Sequence, residues 1–255
     1  MIMDNFEEYE DTDLYDLENE MYKDDVRFLK KYASRVEGPI IDIACGTGRA
    51  TIPLAKEGHM LIGVDVHEGM LCTAKKKSAE LGLKIKWKKQ DCTRLNLSLK
   101  SNLIFMVGNS FQHFLSNKEQ DKLLLSVGRH LNMGGFFIFG TRFPNSNELL
   151  QPPTEEYWRS YTDPISKKKV EVYTISNYDA LAQLQCYTTI RKFIGENGDV
   201  LDQKRTHITL RYVFPKEMER LLSQNGFEIV RVFKDWNGSP IDENSNEIIY
   251  VCKKL

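Results

Sequence analysis

Apolar and polar positions along this chain follow two regimes. Between residues 39 and 141, short apolar runs that read as strands (39–44, 60–66, 84–90, 102–108 and 134–141) alternate with helical periodicity at about 48–57, 68–82 and 117–131. Repeated strand and helix predict a parallel sheet with helices on both faces, and ligands then bind at the carboxyl ends of the strands. Beyond Arg142 the period shortens to two. Stretches at 169–178, 182–194 and 204–213, such as Val170-Glu-Val-Tyr-Thr-Ile, read as antiparallel strands joined by turns at 177–179 and 195–198. Pro215 opens a helix that Asn225-Gly226 closes, and strands at 227–233 and 247–253 return to the first sheet. The expected fold class is α/β, a seven-stranded, mostly parallel sheet with helices on both faces plus a small antiparallel three-stranded cap.

The amino-terminal end has its own character. Its first twenty-five residues are rich in Asp and Glu and carry Tyr9, Tyr15 and Tyr22, while Val26, Leu29, Tyr32, Ala33 and Val36 give residues 24–36 helical spacing. This reads as a lid. The expected layout is a lid segment and helix at 1–36, a core at 37–142 and 214–255, and an inserted cap at 143–213 that overhangs the ligand.

Composition removes several function classes. A chain of 255 residues can bury a full core, and a formal net charge of −1 with a pI near 6.5 gives no general attraction to DNA, RNA or anionic lipid. The two basic triplets, Lys75 to Lys77 and Lys167 to Lys169, read as solvated faces. Five cysteines, at 45, 72, 92, 186 and 252, show no paired spacing and argue for a reducing compartment. No His or Cys spacing suits a metal, so none is expected. Apolar runs are strand-sized and the amino terminus is acidic, so a cytoplasmic protein away from membranes is expected.

The chemistry concentrates in Ile40-Ile-Asp-Ile-Ala-Cys-Gly-Thr-Gly48, a buried strand running into a glycine-pinched turn. Gly46 and Gly48 allow a tight turn and a close approach to a ligand, and the helix that follows points free N–H groups back at it. A dinucleotide-binding turn wants Gly or Ala at the third conserved position, where this chain has Thr51. Asp42, Ala44, Cys45, Gly46, Thr47 and Gly48 instead resemble, position by position, motif I of the class I S-adenosylmethionine-dependent methyltransferases. Strand-end acids follow at Asp65 and Asp91, each the right distance on. Asp65 could equally be a plain helix cap.

That resemblance implies a Rossmann-like methyltransferase fold, S-adenosylmethionine as cofactor and S-adenosylhomocysteine as product. It implies that Asp65, with Val66, holds the ribose, that Asp91, Cys92 and Thr93 read the adenine, and that Met70 stacks on it, although Met70 also suits a helix core. Gly108 belongs to the wall between cofactor and acceptor. Leu14-Tyr-Asp-Leu17, Asn109-Ser-Phe-Gln-His113 and Ile208-Thr-Leu-Arg-Tyr-Val-Phe-Pro-Lys-Glu-Met218 resemble the small-molecule N-methyltransferases acting on amino sugars and, more distantly, glycine N-methyltransferase. By that resemblance Tyr15 lies beside the sulfonium and His113 is the base, an imidazole expected to titrate near neutrality. A histidine that merely caps or packs is the alternative.

On the acceptor side the candidates are Asn109, Phe111, Arg211 and Tyr212, with Trp158, Tyr161 and Tyr187 as further aromatic lining. Strand alternation sends Arg211 and Tyr212 to opposite faces, so at most one points inward. The expected activity is methyl transfer to a nitrogen or oxygen of a small-molecule acceptor. An RNA or protein methyltransferase of the same fold and a non-catalytic S-adenosylmethionine-binding regulator stay open. The Asn/Asp-Pro-Pro-Tyr/Phe motif of many amino-methylating nucleic-acid enzymes is replaced by Asn109-Ser-Phe-Gln112, so no nucleic acid is expected as partner. A homodimer is admissible.

Overall fold

The computed structural model describes residues 5–164 and 166–255. Residues 1–4 of the expected lid and residue 165 of the expected cap lie outside them. The main sheet holds β1 (Ile40–Ile43), β2 (Leu61–Asp65), β3 (Lys86–Lys89), β4 (Ser101–Met106), β5 (Leu131–Arg142), β10 (Phe227–Phe233) and β11 (Glu247–Lys254). Its order is β10-β11-β5-β4-β1-β2-β3, parallel except that β11 runs antiparallel to both neighbours. The chain leaves β1 toward β3 and then returns to β4 on the other side, so strand order reverses between β1 and β4. A crevice opens at that point, outside the strands' carboxyl ends.

Alternation along β1 decides which side chain serves what. Ile41 and Ile43 face one layer, packed with Leu123, Leu124 and Val127 of α5 (Asn117–His130) and Met218 and Leu222 of α7 (Pro215–Gln224). Ile40 faces the other layer, with Leu29 and Ala33 of α2 (Asp24–Ala33) and Leu54 of α3 (Thr51–Lys56). Helix α4 (Glu68–Glu80) links β2 to β3. Ser116 and Glu119 form a reciprocal capping box on α5, which satisfies amide groups a helix start leaves unpaired.

The expected lid divides in two. Helix α2 is a core helix, with Leu29 and Ala33 fully buried. The true cover is a 3-10 turn at Glu7–Tyr9 with α1 (Thr12–Asn19). The short α6 (Ser146–Leu149) leads into the second sheet, which has four antiparallel strands where three are expected: β6 (Glu156–Thr162), β7 (Lys169–Asp179), β8 (Leu184–Ile194) and β9 (Val200–Arg211), in that order. Strand β6 escapes the hydrophobic pattern because it is a largely exposed edge. Among the described residues no helix is long and apolar enough to cross a membrane.

Candidate active site

The carboxyl ends of β1, β2, β3 and β4 border a cavity of about 700 Å³. Asp65 closes β2 and accepts the Gly46 and His67 N–H groups, each at 2.8 Å. It thereby ties the turn after β1 to the turn after β2. Two carboxylate oxygens offer about four acceptor sites, so two remain for a ligand. Burial raises the Asp65 pKa in spite of these bonds. Asp91 accepts from the Thr93 N–H and hydroxyl, each at 2.8 Å, and from Arg94 Nε at 3.1 Å. Burial works against its ionisation, but the Thr93 and Arg94 donors outweigh that and lower its pKa.

Ten of the expected cofactor-side residues line this cavity: Tyr15, Ala44, Gly46, Asp65, Val66, Met70, Asp91, Cys92, Thr93 and Gly108. Asp42, Cys45 and Gly48 do not. Asp42 shares the α3 face of β1 with Ile40, and its Oδ2 accepts the Thr51 hydroxyl at 2.5 Å while Oδ1 is buried without a partner. Burial pushes its pKa up to about 8. Thr51, which breaks the dinucleotide pattern, is thus the Asp42 partner. Cys45 is buried beneath the turn. Gly48 has φ +82°, and a Cβ there would meet the Trp87 ring at 2.7 Å, so this glycine serves packing and not ligand approach.

Across the mouth lie two tyrosines from the cover. Tyr15 sits over Gly46, where an added Cβ would come within 3.9 Å of its hydroxyl. Tyr9, which the sequence reading did not single out, packs edge-on against both Tyr15 and His113, with ring centroids 5.7 and 5.6 Å away. Its hydroxyl lies 2.8 Å from His113 Nε2. Burial lowers His113 to about 4, so the imidazole is neutral at pH 7 and a weaker base than expected. The wall beyond carries local strain: Asn109, with φ +57°, is a non-glycine residue in left-handed backbone next to Gly108.

A second cavity of about 450 Å³ lies between the cover, the cap sheet and the ends of β5 and β11. It shares Tyr9, Tyr15 and Gly108 with the first. Asn109, Trp158, Tyr187 and Trp236 line it, as does Arg142 at the tip of β5. Arg142 donates to Glu148 at 2.7 Å and to the Tyr187 hydroxyl at 3.3 Å. The other acceptor-side candidates lie elsewhere. Phe111 is core, stacked on Phe139 at 4.9 Å, and Tyr212 is buried with its hydroxyl donated to Glu148. Arg211 is committed at the root of the cap, donating to Leu115 O, Asn117, Gln183 and Glu217 at 2.9 to 3.2 Å. Tyr161 lines neither cavity.

The acidic amino terminus finds its purpose here. Arg191, on β8, donates to Glu18 at 2.9 and 2.8 Å, to Glu8 at 2.9 Å and to the Thr206 hydroxyl at 2.9 Å. The Asn5 side chain donates to Thr209 O at 2.6 Å and accepts the Thr209 N–H at 2.8 Å, copying a strand pairing along β9. On the core side, Thr47 and Lys77 donate to Asp16 at 2.5 and 2.8 Å, and Arg49 donates to Tyr22 O at 2.6 Å. Lys77 is therefore a clamp on α1, contrary to its reading as part of a solvated face.

Comparison with known proteins agrees with this architecture. Residues 40–135 match a family profile described as a methyltransferase domain. At 24% identity the chain aligns over 95% of its length with 85% of the glycine/sarcosine N-methyltransferase of Halorhodospira halochloris. An S-adenosylmethionine-dependent methyltransferase from Clostridium acetobutylicum superposes with a TM-score of 0.79 at 22% identity, covering 95% of this chain and 96% of that one. An amino pentose methyltransferase from Micromonospora echinaspora, solved with S-adenosylmethionine bound, gives 0.75 at 14% identity and covers 95% of each chain. The fold is the one these S-adenosylmethionine-dependent methyltransferases share. Within it, residues 40–135, from β1 into β5, carry a methyltransferase domain.

The residues fit the cofactor. Gly46 offers a backbone cradle that a Cβ would fill, Asp65 keeps acceptor sites for a ribose diol, and Met70 and Cys92 give an apolar flank beside Asp91.

Proposed function

We propose that this chain transfers a methyl group from S-adenosylmethionine to a nitrogen or oxygen of a small-molecule acceptor held in the smaller cavity. One observation carries the reading: among the described residues the two cavities share Tyr9, Tyr15 and Gly108, and the second, at about 450 Å³ under a roof of cap and cover, is the size of a metabolite. The names of the glycine/sarcosine and amino pentose relatives support a small acceptor.

When bound, the cofactor supplies an electrophilic methyl group on sulfur. Everything else falls to the chain's own residues. Displacement in line demands orientation above all, which Asp65 and Asp91 give on one side and the walls of the second cavity on the other. Tyr15 and Tyr9 close the junction against water when the cover is latched. We assign proton handling to the Tyr9–His113 pair, because Tyr9 reaches both cavities whereas His113 lines only the first.

The test is label transfer from methyl-labelled S-adenosylmethionine to metabolite extracts, RNA and protein, with calorimetry of cofactor binding alongside. Label confined to small molecules is the expected result. Label in RNA or protein alone, or cofactor binding with no labelled acceptor, overturns the reading.

A further inference from the structure

Carboxylates on the wall of the smaller cavity are almost all matched with basic side chains. Glu8 and Glu18 meet Arg191, Asp11 meets Lys204, and Glu148 meets Arg142, at 2.7 to 3.0 Å. Asp25 meets Arg49, and Glu7 meets His207. Glu247, at the start of β11, also lines this cavity and has no ion pair among the described residues. Among the described residues its carboxylate has a hydrogen-bonding neighbour in the Asn109 side chain, on the strained wall next to the junction.

The missing pair is conspicuous because a cation stands opposite. Glu247 is in direct register with Arg142 on β5, and opposite charges facing each other across antiparallel strands ordinarily join. Arg142 instead turns to Glu148 and Tyr187. A half-buried carboxylate without a cation is costly, and burial does raise the Glu247 pKa despite Asn109 and the field of Arg142. Trp236 stands beside the same space, and ring faces attract cations too, while Trp158 and Tyr187 already carry Arg159 and Arg142 over their rings at 4.2 and 5.3 Å.

We infer that the Glu247 carboxylate is the seat of a cationic amine on the acceptor, which makes amines, and not neutral alcohols, the acceptor class of this enzyme. The inference rests on the smaller cavity being the acceptor site, and it deepens that reading by choosing between nitrogen and oxygen. Nothing in the sequence pattern marks Glu247, since a glutamate opening a strand is common.

The experiment separates this inference from methyl transfer itself. The complex with S-adenosylhomocysteine is titrated with isopropylammonium and with its neutral isostere isopropanol, followed by fluorescence of the cavity tryptophans and by calorimetry. The ammonium should bind about tenfold or more tightly than the alcohol, the size of one charged hydrogen bond. Glu247→Gln should remove that preference while leaving the weaker alcohol binding and the S-adenosylhomocysteine affinity unchanged, and Glu247→Asp should keep part of it. Equal binding of the two probes, binding of neither, or a preference that survives in Glu247→Gln overturns the inference. Label transfer to an acceptor is read independently, so failure here leaves the methyltransferase reading standing.

Discussion

The two cavities are built by different means. The larger belongs chiefly to four strand ends and the turns that follow them within residues 44–115, roofed by the cover and flanked by α5, and its key acid Asp65 is fixed by backbone N–H groups of the adjoining turns. The smaller is assembled from the amino terminus, the tips of β5 and β11 and the inner face of the cap, segments up to about two hundred residues apart, held by charged side chains. Backbone amides near in sequence give a site that survives change around it. Side-chain ion pairs across the chain give one that can open.

That contrast can be broken most forcefully at Arg191. Its side chain and that of Glu18 are each about 95% buried, so Arg191→Ala leaves Glu8 without its cation and Glu18 with Arg159 alone, and should cost about 3 kcal/mol in urea unfolding. Loss of the cap without loss of cofactor affinity would sharpen the comparison. Equal loss of both would merge the two regions into one cooperative unit.

Asp65→Ala tests the other side. It removes the charged acceptor proposed for the ribose diol and unties the Gly46 turn, so cofactor affinity by calorimetry should fall about 100-fold, with the cap's near-ultraviolet circular dichroism unchanged. An affinity change below about threefold would remove Asp65 from the ribose.

A smaller effect is expected at the junction. Tyr9→Phe and His113→Ala should each lower kcat about 10- to 100-fold at unchanged cofactor affinity, and the double variant should be no slower than the slower single one, since the two act as a unit. Additive losses would separate them. Burial holds the imidazole near 4 instead of 6.5, so the unfolded chain takes up a proton first, and the stability present above pH 6.5 is lost as pH falls toward 4. His113→Ala should flatten that part of the pH–stability profile, and the activity limb of this group should lie near pH 4.

Much of the cofactor side was legible because it is written in contiguous residues. Asp65 and Asp91 sit at strand ends that periodicity locates, and Gly46 sits in a motif. Asp42 shows the limit: its place in the motif is plain, but only the orientation of β1 sends its carboxylate toward Thr51 and away from the cavity. Gly48 was read as room for a ligand, and only Trp87 from β3 shows that it is room for an indole. Arg211 fitted the pattern of an inward strand residue, yet the packing of α7 and the turn before α5 against the cap root supplied it with four acceptors.

By itself the sequence determined the α/β order, the motif turn, the acid that ends β2 and the acid after β3, because those depend on periodicity and on backbone geometry over a few residues. Tertiary structure alone decided that Tyr9 meets His113, that Arg191 locks the acidic amino terminus, and that Glu247 faces Arg142 without pairing. Each of these joins segments at least a hundred residues apart. No local pattern encodes such meetings, since charge and aromatic side chains choose partners only once the sheets have set them within reach.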